Sequence, residues 1–161
     1  MTMSDRICLM RAGRIEQIGT PRELYVTPHS VYAADFLGDS NLLPGEYVGD
    51  GRVRLSGNGQ SALISSAQAQ DVPQGSGVRC LIRPEAVRLV DGSPPDNTLE
   101  ATIEEIVLAG GVTKYVLALP DGTPLRATLL TSATGRPQAI GDRVKVGFAA
   151  SDVRILRDAP Q

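Results

Sequence analysis

Few side chains in this sequence are of types that perform acid–base, nucleophilic or metal chemistry, and their spacing works against most of it. His29 is the one histidine, so any site that needs two imidazoles is excluded. A Ser-His-Asp or Cys-His arrangement would have to use this ring, and it follows Pro28 at a helix-like start, where a capping or surface role fits better. Cys8 and Cys80 belong to no C-x-x-C pair, which removes a zinc or dithiol reading and leaves two buried, reduced thiols as the expectation. Glu104 and Glu105 are adjacent; in a strand they point to opposite faces and do not act jointly as acid and base. Ser65-Ser66 and Thr131-Ser132 have no base nearby in sequence and read as loop residues. No phosphate-cradling G-x-x-x-x-G-K-[ST] loop is present, Gly57-Asn58-Gly59 lacks a third glycine and a following helix, and Gly110-Gly111 reads as a turn between strands. Arg83-Pro84-Glu85 is the most charged candidate. Its simplest reading is that Pro84 interrupts the ladder between two strands while Arg83 and Glu85 pair or face water. Taken alone, these residues describe a β-rich binding or regulatory module without catalysis.

The elements that must position them are short. The chain has 161 residues, 42% apolar and 21% charged, with 17 Gly and 11 Pro but only four Tyr and two Phe, the balance of a folded chain with many turns. The 16 Lys and Arg against 18 Asp and Glu leave a net charge of −2, which argues against nucleic acid as a partner. The longest apolar run, Tyr115–Leu119, is far below a membrane span, and Ile7–Met10 is too short for a signal peptide. A cytoplasmic chain is the expectation.

The first forty residues differ from the rest. Ile7–Met10 and Arg14–Ile18 flank a Gly-containing turn and predict a hairpin. Thr20-Pro21-Arg22-Glu23 is a helix start, with Thr20 as cap, Pro21 at the first position and Glu23 completing a capping box. Pro28 keeps that helix brief, and a second one is expected from Ser30 through Val31, Ala34 and Leu37, stopped by Gly38. After Gly38 the period changes. Asp39–Gly45 reads as turn-rich, and alternating stretches follow at Glu46–Val48, Arg52–Leu55, Ser61–Ile64, Val78–Arg83, Ala86–Val90, Leu99–Leu108, Val112–Leu119, Leu125–Leu129, Arg143–Phe148 and Val153–Leu156. A bulge is expected near Glu104-Glu105, a hairpin turn at Pro120-Asp121-Gly122, and a long loop within Gly57–Gly77. The fold class is therefore mainly β, a barrel or sandwich preceded by a hairpin and two short helices. Val78–Val90 also aligns without a gap on Val144–Leu156, strand, break and strand in each, which suggests two related β units.

Met3-Ser-Asp-Arg-Ile7 and Met10 through Tyr25, containing Gln17-Ile-Gly-Thr-Pro-Arg-Glu-Leu24, resemble the end of the nucleotide-binding domain of the ATP-binding subunit of bacterial ABC importers. Asp35-Phe-Leu-Gly-Asp-Ser-Asn-Leu-Leu-Pro-Gly45 resembles the passage from that domain to its regulatory domain. Leu81-Ile-Arg-Pro-Glu85, the Asp121-Gly122 turn and Gly141-Asp-Arg-Val-Lys-Val146 resemble that regulatory domain, the transport-associated OB module called TOBE.

The resemblance divides the chain into residues 1–38, the end of the nucleotide-binding domain, and 39–161, an OB-fold-like TOBE domain. It implies a C-terminal portion of the subunit, or a reading frame that starts late, because no residue here corresponds to the family's Walker A lysine, Walker B carboxylate, signature loop or switch histidine. No catalytic, cofactor or metal residue is expected in the chain; ATP and Mg²⁺ belong to the intact parent, an ATPase at the inner face of the membrane that powers import of polyamine, ferric iron or a similar solute. Implied partners are a second copy of the chain and, in the parent, permease subunits and a solute receptor. Asn41, Arg83, Pro84, Glu85, Asp121 and Gly122 are the candidate structural or interface residues. A β module sensing an oxyanion or metabolite is the alternative, and a single-stranded nucleic-acid binder a weaker one, with only Tyr47, Tyr115 and Phe148 to stack on bases.

Overall fold

The computed structural model describes residues 5–56, 62–67, 72–132 and 138–157. Strands β1 (Ile7–Arg11) and β2 (Arg14–Gly19) form the hairpin, turned through Ala12 and Gly13 with φ of 51° and 78°, left-handed values that suit a two-residue turn. Helix α1 (Pro21–Val26) starts as the sequence predicts: Thr20 Oγ1 accepts from Glu23 N–H at 3.1 Å while the Glu23 carboxylate accepts from Thr20 N–H at 2.8 Å. That backbone hydrogen bond holds the Glu23 carboxyl below its ordinary pKa. Helix α2 (Val31–Phe36) is capped by Ser30, which accepts from Ala33 N–H.

The β module consists of β3 (Asn41–Gly49), β4 (Arg52–Leu55), β5 (Leu63–Ser65), β6 (Gly77–Ile82), a 3-10 turn at Pro84–Ala86, β7 (Arg88–Leu89), β8 (Asn97–Ala109), β9 (Val112–Ala118), β10 (Pro124–Leu130), β11 (Arg143–Phe148), a second 3-10 turn at Ala150–Asp152, and β12 (Arg154–Arg157). They make two antiparallel five-stranded sheets, ordered β12-β6-β3-β4-β5 and β10-β9-β8-β11-β7. The two sheets enclose one core around Val53, Ile64, Val78, Ile82, Leu117, Leu125, Val146 and Phe148, all buried.

The aligned segments prove to be copies that trade their last strands. β6, turn and β7 correspond to β11, turn and β12, yet β12 pairs with β6 and β7 pairs with β11. The registers match: Arg154 lies opposite Leu81 as Arg88 lies opposite Gly147, and Ile155 opposite Cys80 as Leu89 opposite Val146. The correspondence extends upstream. Asn41 faces Ile82 as Asn97 faces Phe148, and β3 is bulged between Tyr47 and Gly49 where β8 is bulged between Ile103 and Glu105. The module is thus two five-stranded units related by an approximate two-fold axis, each closed by a strand of the other.

Several expectations need correcting. Asn41–Gly45 is strand, not turn. In antiparallel pairing Pro44 turns its nitrogen and carbonyl away from β6, the carbonyl accepting from Ser56 N–H at 3.0 Å, so its missing N–H costs no bond to β6. Gly45 is required because a Cβ there would lie 2.6 Å from Arg54 O. Of the stretch Ala86–Val90 only Arg88–Leu89 is strand, and Ala86 closes the 3-10 turn. The bulge falls at Glu104, and both Glu104 and Glu105 are exposed. Cys8 is exposed on the outer face of the hairpin; Cys80 alone is buried, its thiol pushed up to about 12 by desolvation. The loop expected within Gly57–Gly77 contains β5, and the stretches 57–61 and 68–71 lie outside the described residues.

Candidate functional site

Arg83 follows β6 and precedes the first 3-10 turn as its N-cap residue, where Pro84 supplies the fixed φ that such a turn needs and removes the N–H that would extend the ladder. The backbone therefore bends, and the side chain leaves the sheet toward the N-terminal segment. Contrary to the expectation that it faces water or pairs with Glu85, Arg83 is 9% exposed. Its Nη1 donates to Ala34 O at 3.2 Å, Asp39 O at 3.3 Å and Ser40 Oγ at 2.5 Å, and Nη2 donates to Tyr25 O at 2.8 Å. The guanidinium carbon lies 4.1 Å from the centre of the Tyr25 ring. Burial lowers the Arg83 pKa, while Tyr25 and Glu85 act against that shift.

These acceptors share a position. Tyr25 is in the last turn of α1 and Ala34 in the last turn of α2, where helix carbonyls lack intrahelical donors and the dipole is negative. Neither helix carries a basic residue in its own last turn. Arg83, far along the chain, serves as the C-terminal cation for both.

The rest of the junction follows from this contact. The Tyr25 hydroxyl donates to the Glu85 carboxylate, and burial together with that hydrogen bond pushes the phenol pKa up to about 12. Ala34 packs with Leu81 and Leu156, with Val31 and Leu42 beside them, so α2 lies on the β6 and β12 edge. Arg154 Nε donates to Pro28 O at 2.9 Å. On the hairpin side, buried Gln17 donates to Thr27 O at 3.2 Å and accepts from His29 N–H at 2.8 Å, which ties β2 to the connection between the helices.

The other predicted residues sit elsewhere. Asn41 is 4% exposed and bridges the sheets: its amide donates to Arg126 O, and its Oδ1 accepts from Arg126 N–H, both at 2.8 Å. Asn97, absent from the prediction, does the same in the other unit, donating to Ser65 O at 2.9 Å and accepting from Ser65 N–H at 2.8 Å. Each amide acts as one extra rung for a strand that the other sheet leaves uncovered. Asp121 and Gly122 form the β9–β10 turn, where the Asp121 carboxylate accepts from Thr123 N–H at 2.9 Å and Thr123 Oγ1 at 2.7 Å. The structure thus unites Arg83, Pro84 and Glu85 at the junction and leaves Asn41 and the Asp121-Gly122 turn apart from them. Among the described residues, no group of three or more His, Cys, Asp or Glu side chains gathers as a metal site, and no helix is long and apolar enough to cross a membrane.

Comparison with known proteins places this geometry. Residues 80–156, from within β6 to within β12, match the TOBE domain family. The sulfate/thiosulfate import ATP-binding protein of Chromobacterium violaceum is 38% identical over 96% of this chain and 42% of its own length. The spermidine/putrescine import ATP-binding protein of Ruegeria pomeroyi is 34% identical over 98% of this chain and 43% of its own. The chain therefore spans less than half the length of these relatives. In structure it resembles the cytoplasmic molybdate-binding protein ModG, solved with molybdate bound, at a TM-score of 0.59 and 18% identity over 73% of this chain and 95% of that one, a likeness of fold. With residues 80–156 matched by family and the helical segment included in the aligned length, this chain carries a TOBE domain and is, over nearly its whole length, a relative of the ATP-binding subunits of ABC importers.

Proposed function

We propose that this chain is the regulatory portion of an ABC importer ATPase subunit: the TOBE domain, residues 39–161, joined to the closing segment of a nucleotide-binding domain, residues 1–38. It is non-catalytic by itself. ATP and Mg²⁺ bind in the catalytic half of the intact subunit, which works at the cytoplasmic face with permease subunits and a solute receptor and imports a polyamine, ferric iron or a similar small solute. The observation that carries this reading is the Arg83 junction. A β-module residue completes both helices of the N-terminal segment, so movement of that segment is passed to the β module as one body.

The module's role is to hold two ATPase subunits together through its β surface. The outer face of the hairpin, with Cys8, Met10, Ile15 and Ile18 exposed, is the surface on which the rest of the nucleotide-binding domain rests. Light scattering of the purified chain tests the association: a dimer at tens of micromolar is expected, and a monomer there counts against it. The coupling role is tested by exchanging this chain for the corresponding stretch of the Ruegeria pomeroyi relative. ATP-dependent uptake is expected to survive, and to fall when Arg83 is replaced by Met. Hydrolysis of ATP by the isolated chain would overturn the non-catalytic assignment.

A further inference from the structure

The two units do not close completely on their approximate axis. A cleft of about 300 Å³ remains between β3 and β8, large enough for a small organic molecule. Symmetry-related leucines, Leu43 with Leu99 and Leu55 with Leu119, make its apolar base. Above them the two walls differ in chemistry. The first unit contributes Pro44, Ala62 and one hydroxyl residue, Ser56; the second contributes Thr98, Glu100, Pro120, Asp121 and Thr123. At equivalent positions of the two units, Pro44 stands where the other has Glu100, and Ala62 where the other has Thr123. The symmetry of the backbone is therefore broken in the side chains, with both carboxylates of the cleft on the wall of the second unit.

Pro44 and Pro120 present no N–H, Glu100 and Asp121 are acceptors only, the hydroxyls of Ser56, Thr98 and Thr123 donate and accept, with that of Thr123 donating to Asp121, and no residue lining the cleft is Lys, Arg or His. Lys145, the ladder partner of Glu100, lies with Arg143 in an adjoining cleft that Glu100, Leu119 and Pro120 also line. An anion entering the axial cleft finds carboxylates and few donors. A cation that carries its own N–H donors on a short hydrocarbon finds a partner for each part.

We propose that this axial cleft is a binding site for a small primary alkylammonium ion, its chain on Leu43, Leu55 and Pro44 and its ammonium on Glu100 and the hydroxyl of Thr98. Nothing in this assignment requires the transporter reading to be right. Occupancy would bridge the two units across their axis, so binding would raise the unfolding temperature of the whole module.

Amide NMR of the full chain, titrated with n-butylammonium chloride, tests this against sodium butyrate, n-butanol and sodium molybdate at matched ionic strength. Saturable, millimolar shifts centred on Leu42–Leu43 and Thr98–Glu100 are expected for the amine alone. Glu100→Gln should weaken them about tenfold, the loss of one charge-assisted hydrogen bond. Pro44→Lys, at an exposed site, should abolish them by placing a tethered ammonium in the cleft without loss of folding. Butyrate or molybdate binding as tightly as the amine, amine shifts mapping elsewhere, or no saturation by about 50 mM would each overturn the assignment. So would Glu100→Gln binding the amine as tightly as the parent chain.

Discussion

Replacing Arg83 by Met isolates the junction's polar contribution, because Met retains much of the hydrocarbon stem and discards the guanidinium. Nη1 has two hydrogens for its three acceptors and Nη2 uses one on Tyr25 O, so three N–H donors are engaged. At about 1.5 kcal/mol for each bond from a charged donor, the loss is roughly 4–5 kcal/mol. Desolvating the guanidinium, the cause of its lowered pKa, returns about 1–2 kcal/mol when the group is removed. A net cost near 3 kcal/mol remains, a factor of roughly 10² in the local opening equilibrium. It should fall on one side of the junction only. The β module keeps its core, whereas α1 and α2, with six residues each, lose the cation that completes their last turns. Native-state amide exchange is therefore expected to accelerate about a hundredfold in 21–36 and to change little in β8 and β9. Arg83→Lys, with a compact point charge, should recover only part of the protection. Equal acceleration in helices and strands, or less than threefold in the helices, would refute the assignment of Arg83 as their shared cap.

The remaining predictions use other contacts. Asn41→Asp and Asn97→Asp should each cost about 2 kcal/mol in urea unfolding, and by similar amounts, because each turns a paired donor into a carboxylate facing a carbonyl. The phenol of Tyr25 titrates higher in the folded protein than its ordinary value of 10, so its contribution is full below pH 10 and is lost as pH rises toward 12. Tyr25→Phe should flatten that part of the stability profile, leaving the share from Cys80, whose pKa is raised in the same range. A thiol reagent should label one cysteine in the native chain, Cys8, and reach Cys80 only on unfolding.

The sequence makes the local devices legible and hides the long-range ones. The Thr20–Glu23 capping box, the Ser30 cap, the Asp121-Gly122 turn and the bulge beside Glu104 rest on residues within a few positions of one another, and each is found as expected. Cys8 misleads because its strand is apolar on both faces, and a two-stranded ribbon covers only one. Arg83 misleads because surface arginines are common and its acceptors are carbonyls, which carry no residue identity. A signal was nevertheless present in the aligned copies. Where β6 is followed by Arg83-Pro84-Glu85, β11 is followed by Ala149-Ala150-Ser151, while the buried Val87 and Val153 are kept. One copy must do something that the other does not. Asn97 was recoverable upstream of the aligned copies once a ten-residue difference in spacing is allowed, since Asn41-Leu42-Leu43 then lies on Asn97-Thr98-Leu99.

The departures from symmetry also explain why the N-terminal segment occupies one sheet. Leu81 receives Ala34 of α2, but its counterpart Gly147 has no side chain: a Cβ there would lie 2.2 Å from Pro95 Cγ. The segment leading into β8 has taken the place on the second sheet that α2 takes on the first. The exchange of β7 and β12 then fixes how the module must fold. Cut between Gly92 and Ser93, each half loses the strand that closes its sheet, and β6 or β11 becomes an open edge beside a half-formed core. The half from residue 93 onward can satisfy β11 only with β12 of a second copy, reproducing between chains the pairing that the intact protein makes within one. It is expected to be unfolded as a monomer and folded as a dimer, with an unfolding temperature that rises with concentration, whereas mixing the two halves should restore the intact module. A concentration-independent, cooperative transition of that half as a monomer would show that each unit stands alone, and that the exchanged strands add stability without being required for the fold.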